Sequence, residues 1–273
     1  MKGKVFFMKK LMSLVIAAVF MVGSATSAMA TEPVVIDTSR ATQGVVSVQL
    51  TTPVTKTTKV RIEKESQIYD YNLPNNDVAT FPLQSGAGTY KITVAENVSG
   101  TTYRVVKTQS VTVDYLDDRQ VFTKSIQLIN FNGQMVSIAE LNGLVANMTT
   151  DKEKIQTIYK YIVSNFKYDL NKVEEVTTNS AYIPVLDRVY AAKKGICYDY
   201  ASLFAAILRA NNIPTKLDMG YFTQVNAYHA WNEVLVDGTW MIIDTTYDSQ
   251  ALEHKLSFSM LKDNKEFKVV KQY

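Results

Sequence analysis

From about Val34 to Val113, apolar and polar residues alternate in short runs, at Val45 to Leu50, Lys59 to Lys64, Tyr90 to Val94, Tyr103 to Val106 and Ser110 to Val113. Turn residues separate them at Leu73-Pro74-Asn75-Asn76, Ser85-Gly86-Ala87-Gly88 and Ser99-Gly100. Alternation with period two predicts strands, and several short strands without helical periodicity predict a small antiparallel sandwich of immunoglobulin-like kind. This stretch contains no His, no Cys and no clustered carboxylates, so it reads as a spacer or a binding module.

Beyond it the period changes. Residues 116–133 lose the alternation and are expected to be a linker. Met135, Ile138, Ala139, Leu141 and Val145 then recur at helical spacing. Thr150-Asp151-Lys152-Glu153 is a capping box ahead of Ile155, Ile158, Tyr159 and Ile162. Asn171 to Ser180 is polar and reads equally as a surface loop near a site or as an ordinary connection. Pro184 suits an early helical position before Val185, Leu186, Val189 and Tyr190, and Gly195 breaks that pattern. Tyr198 to Ala210 carries a further helical stripe of Ala201, Phe204, Ala205 and Leu208. Last comes a hairpin, Tyr228 to Val236 and Thr239 to Thr245, turning at Asp237-Gly238. A two-residue turn pairs Val236 with Thr239, which sets Trp231 opposite Asp244 and His229 opposite Thr246. His229 and Asp244 are then diagonal neighbours on one face, about 7–8 Å apart at Cα.

The chain of 273 residues is 47% hydrophobic, enough to bury a full core in one or two domains. Its first thirty residues stand apart. Lys2, Lys4, Lys9 and Lys10 precede an apolar run from Leu11 to Val22, then Ala28-Met29-Ala30, the pattern of a secretory signal cut after Ala30. The run is short against the ~20 residues of a membrane span, so no stable span is expected after cleavage. Taking those four lysines from 29 basic residues leaves 25 against 26 acidic, a balance near −1 rather than +3. That balance offers no electrostatic case for nucleic acid. The expected location is secreted or at the cell surface.

Export changes the meaning of the single cysteine, because one thiol cannot form an internal disulfide. An isolated Cys is ordinarily a small buried hydrophobe, a lone His structural, and an Asp near a strand end solvated. Here Cys197 opens a buried helix, where free N–H groups and the helix dipole favour a thiolate. With His229 as base and Asp244 orienting it, the three make a candidate set for nucleophilic acyl transfer. With one Cys, two His and no ligand-spaced motif, neither a metal nor a cofactor is expected. His254 lies in a polar segment and reads as a surface residue.

Gly195-Ile196-Cys197-Tyr198-Asp199-Tyr200-Ala201, Tyr228-His229-Ala230-Trp231-Asn232-Glu233-Val234 and Trp240-Met241-Ile242-Ile243-Asp244-Thr245-Thr246 together resemble the three-block signature of the bacterial transglutaminase-like superfamily. The resemblance spans roughly residues 149–248. It implies an α+β fold, a papain-like core of helices packed on an antiparallel sheet, and carries the family's Cys, His and Asp onto Cys197, His229 and Asp244. It also implies an aromatic or amide group near the oxyanion, for which Tyr168 and Trp231 are candidates, with core packing the plainer role for Tyr168. The resulting division is 1–30 signal, 31–115 β-sandwich-like, 116–133 linker and 134–273 transglutaminase-like. Members of the family include crosslinkers, peptidases, amidases and inactive proteins. The expected partners are protein or peptide substrates at the cell surface, and the alternative is a non-catalytic binding protein of the extracellular space or cell wall.

Overall fold

A computed structural model describes residues 19–21, 33–75, 77–114, 117–179 and 181–273. The expected signal sequence and its cleavage site lie outside these residues, apart from 19–21. The chain divides between Gln127 and Leu128 into two compact units.

The first unit is all β. Its strands are β1 (Val19–Met21), β2 (Val34–Asp37), β3 (Val45–Leu50), β4 (Thr58–Lys64), β5 (Gln67–Leu73), β6 (Ala79–Pro82), β7 (Gly88–Ser99) and β8 (Thr102–Val113). They form two sheets, ordered β1-β8-β7-β4-β5 and β2-β3-β6, antiparallel except for the β1–β8 pair. Alternation places Val60, Ile62, Ile92 and Val94 of one sheet and Val46, Val48 and Phe81 of the other inside. The Tyr71 and Phe81 rings meet with centroids 4.8 Å apart. Tyr90, near the start of β7, sends its hydroxyl back to the carbonyls of Gly86 (2.7 Å) and Leu83 (2.9 Å), a tyrosine corner.

The two runs read at 103–106 and 110–113 are one twelve-residue strand, β8, paired with β7 along its length. Thr108 and Gln109 between them are hydrophilic but still strand-compatible, and pairing to β7 carries the chain through. Within the stretch expected as a linker, Asp118–Thr123 forms a 3-10 turn. Its Val121 and Phe122 are buried.

The second unit mixes helices and sheet. In chain order it comprises α1 (Val136–Val145), α2 (Asp151–Asn165), β9 (Lys167–Tyr168), α3 (Leu170–Thr178), α4 (Leu186–Ala192), β10 (Lys194–Gly195), α5 (Cys197–Ala210), β11 (Thr215–Phe222), β12 (Val225–Val236), β13 (Thr239–Ile243), α6 (Thr245–Glu253) and β14 (Phe267–Gln272). The main sheet is antiparallel in the order β13-β12-β11-β14. Against it lies α5, buried on every side from Asp199 to Arg209. That explains its composition: a helix sheathed all round can be apolar all round. Asn232 on β12 donates to the Ala201 carbonyl of α5 at 3.0 Å, joining helix to sheet. The Thr150–Glu153 capping box opens α2 as the sequence implies.

Two local expectations change. Residues 170–178, read as part of a polar loop, form α3, capped by the Asp169 carboxylate on the Lys172 N–H. None of its residues is buried, so it has no full apolar stripe to betray it. Pro184 lies just before the α4 cap, Val185, rather than inside the helix.

Candidate functional site

The site begins at the turn that delivers the cysteine. Lys193 ends α4 in the left-handed region, with φ at 49°. Its ammonium lies 3.1 Å from the centre of the Tyr190 ring and donates to the Tyr161 hydroxyl at 2.9 Å, with Phe166 also close. The chain then pairs in parallel with β9, Lys194 beside Lys167 and Gly195 beside Tyr168. Lys167 N–H donates to Lys193 O and Asp169 N–H to Gly195 O, each at 2.9 Å. Lys194 reaches the Asp169 carboxylate at 3.1 Å. Gly195 is required by close approach rather than by a positive φ, since a Cβ there would sit 2.7 Å from the Asp199 Cβ.

Cys197 is the first residue of α5 and is half-buried. Ile196, the preceding cap position, has no polar side chain. Asp199 therefore turns back and accepts the Ile196 N–H at 2.8 Å. This leaves the thiol at a helix N-terminus, where free N–H groups and the helix dipole favour an anion.

His229 comes from the middle of β12 and is 4% exposed. Its Nε2 lies 2.6 Å from Asp244 Oδ2, and Cys197 is a close neighbour that acts on the ring electrostatically. The imidazole lies beside the rings of Phe222 (centroids 6.3 Å) and Trp231 (6.2 Å), each inclined to it by less than 30°. Burial works to lower its pKa, but the charge and hydrogen bond of Asp244, together with Cys197, outweigh it and raise the value to about 10.

The turn at Asp237-Gly238 has φ of 49° and 80°, as a primed two-residue turn requires. The pairing follows the expected register from Val236↔Thr239 to Asn232↔Ile243. There the strand ends, two residues short of expectation. Asp244 is instead the N-cap of α6, with Oδ1 accepting the Tyr247 N–H at 2.9 Å while Oδ2 meets His229. Trp231 thus has no strand partner in Asp244, nor His229 in Thr246. Their partners lie on β11, where Trp231 faces Asp218 and His229 faces Gly220. Gly220 serves a close crossing as well, since a Cβ would lie 2.0 Å from the Lys268 carbonyl.

One turn along α6, the buried Asp248 accepts from the Tyr159 hydroxyl at 2.7 Å and is ion-paired to Lys262. Burial raises its pKa to about 6 although Lys262 opposes the shift. The sequence reading missed this group, along with Asp199 and the β14 residue Phe267, whose ring stacks on Phe222 at 4.2 Å and touches Trp231 at 4.9 Å. An Asp three residues past a helix cap is a recognisable signal for Asp199. No comparable local signal marks the other two.

Of the two candidate oxyanion contacts, Tyr168 borders the cysteine turn through Gly195, and burial followed by the neighbouring Cys197 raises its pKa, keeping the phenol protonated. Trp231 is 1% exposed, and its indole N–H has no acceptor among the described residues. His254 is exposed at the end of α6. Among the described residues, no three His, Cys, Asp or Glu side chains gather in a way that could hold a metal ion.

Residues 139–245 match the family model of the transglutaminase-like superfamily. Two curated relatives are similar over part of the chain. The UPF0252 protein of Methanocaldococcus jannaschii is 29% identical over 144 residues, 44% of this chain and 41% of that protein. Kyphoscoliosis peptidase of Homo sapiens is 26% identical over 146 residues, 48% of this chain and 21% of that protein. The chain thus spans less than half the length of these relatives. Among solved structures, a candidate cysteine protease from Cytophaga hutchinsonii aligns over 91% of this chain and 78% of its own, at 17% identity and a TM-score of 0.42.

Proposed function

Starting from the fact that residues 139–245 form a domain of the transglutaminase-like superfamily, we propose that this chain is a cysteine acyl-transfer enzyme acting on protein or peptide amides. The observation that carries the reading is one imidazole, that of His229, bonded to Asp244 at 2.6 Å and neighbouring Cys197. A buried imidazole with a raised pKa is cationic at neutral pH, and beside a helix-terminal thiol it favours a thiolate.

In the proposed reaction the Cys197 sulfur attacks the amide carbonyl. The C–S bond forms, and the carbonyl oxygen gains charge that the N–H groups at the head of α5 can stabilise. Trp231 and the protonated phenol of Tyr168 are the candidate additional donors. His229 then passes its proton to the leaving nitrogen as the C–N bond breaks, leaving a thioester. Water or an amine attacks that thioester, His229 takes the incoming proton, and the sulfur departs. Asp244 holds the ring in place throughout.

We read the N-terminal unit as an immunoglobulin-like spacer or binding module, on the support of its strand order and the Tyr90 corner. The basic and apolar opening residues support export to the cell surface.

The test is to incubate the mature chain with a glutamine-containing peptide and a labelled amine, and follow ammonia, amine incorporation and backbone cleavage separately. Any of the three signals, abolished by Cys197→Ala, supports the enzyme. Incorporation marks a crosslinker, ammonia alone an amidase, and cleavage a peptidase. A signal that survives Cys197→Ala overturns the reading. A wild-type thiol that titrates near the ordinary 8.5 would favour a non-catalytic binding protein instead.

A further inference from the structure

Asp199 poses a physical problem that the triad does not answer. It is fully buried, two residues after Cys197, in the first turn of the same helix. The helix terminus favours an anion, and here two groups compete for it, the carboxylate and the thiolate. Like charges in one low-dielectric site oppose each other.

The structure supplies a counter-charge from α3. Lys172 Nζ lies 2.7 Å from Asp199 Oδ2, the same oxygen that accepts the Ile196 N–H. Tyr182 donates its hydroxyl to Oδ1, and Lys172 also sits 4.7 Å from the centre of the Tyr182 ring. Because α3 buries no residue, packing does not account for its placement. These polar contacts and the Asp169–Lys194 pair bring it to the cysteine turn.

We propose that Asp199 and Lys172 form a charge-compensated positioning pair for Cys197. Asp199 fixes the turn that presents the sulfur, and Lys172 cancels the carboxylate charge that would otherwise oppose the thiolate. This rests on Cys197 being the nucleophile.

The surrounding groups leave that role to Lys172. Toward Asp199 face Tyr182, Tyr168 of β9, and Tyr198 and Tyr200 of α5, all with pKa values raised by burial and therefore uncharged. Glu175 of α3 lies near Tyr182 and adds negative charge. Toward the thiol face His229, whose charge is matched by Asp244, and Tyr228, with a pKa pushed up to about 12 by burial. Lys172 is thus the cation assigned to Asp199.

The test uses the chain's single cysteine. The rate of Cys197 alkylation by iodoacetamide is measured against pH for the wild type, Lys172→Met, Asp199→Asn and the double variant, with far-UV circular dichroism confirming the fold. Lys172→Met should raise the midpoint by about one pH unit, a roughly tenfold loss of thiolate on the acid side. Asp199→Asn, which strands the lysine charge, should lower it, and the double variant should return close to the wild type. A merely structural pair would not shift the midpoint in opposite directions. If Asp199→Asn does not fold, Lys172→Arg replaces it and should keep the wild-type midpoint while Lys172→Met does not. An unmoved midpoint in Lys172→Met, or a double variant no closer to the wild type, overturns the proposal. The wild-type midpoint itself tests the nucleophile, and the differences between variants test the pair, so the two failures are distinct.

Discussion

Asp244 and His229 meet at 2.6 Å from two different elements, the histidine inside β12 and the aspartate at the junction where β13 ends and α6 begins. One carboxylate oxygen holds the imidazole, and the other holds the first turn of the helix. Orientation of the base and formation of α6 therefore depend on the same side chain.

Asp244→Asn separates these duties. An amide oxygen still caps α6, because Asn and Asp are similar caps, so the stability lost should be only that of the buried pair with His229. The imidazolium loses its counter-charge, and its pKa should fall from about 10. Turnover should drop by about 10³–10⁴. Asp244→Ala should lose the same turnover and about 1 kcal/mol more stability than Asp244→Asn on denaturant titration, the share of the cap. Equal stability loss in both variants would refute the capping role.

The raised pKa of His229 sets a stability window. The folded state holds the imidazole proton more tightly than the unfolded chain, so this contribution is fully present below about 6.5. It is lost as pH rises toward about 10. Melting temperature measured from pH 6 upward should decline across that window, and the decline should be shallower in His229→Gln.

Lys262→Met should leave Asp248 buried without its cation, at a cost of about 3–5 kcal/mol. With a folded pKa already raised to about 6, the carboxyl binds its proton more tightly in the folded state than in the unfolded chain. Removing the lysine strengthens that bias, so the deficit should be small in acid and grow as pH rises through neutrality. Chemical denaturation at two pH values reads this directly, and a deficit independent of pH would rule out the charge account.

Gly195→Ala should force apart the two segments that present the thiol. The new Cβ meets the Asp199 side chain at 2.7 Å, and that side chain is held by three partners. Overpacking of this kind costs about 1–3 kcal/mol. The alkylation rate of Cys197 should fall with it, and an unaffected rate would show that the turn can yield.

The register of the β12–β13 hairpin was legible because Asp237-Gly238 fixes the turn type, and the turn type fixes every pair after it. Helix α5 was legible from its apolar spacing, and the position of Cys197 at its head followed. Asp244 was placed one element too early. The run Thr245-Thr246-Tyr247 has strand propensity, yet the Asp side chain captures the Tyr247 N–H and starts a helix. Helix α3 was missed because tertiary polar contacts, not a core stripe, hold it. The roles of Lys172, Lys262 and Phe267 depend on partners 27, 14 and 45 residues away, a relation that local pattern does not encode.

The two lysines just ahead of the cysteine bear on self-inactivation. Once the sulfur carries an acyl group, any nearby amine of the same chain is a rival acceptor. Lys193 is enclosed by Tyr161, Tyr190 and Phe166, and Lys194 is bound to Asp169. On the proposed acyl-transfer reading, amines engaged in this way are positioned away from the thioester, so the chain's mass after turnover without added amine should stay that of the unmodified protein. On that reading, the aromatic clasp would keep an acyl-transfer catalyst from consuming itself.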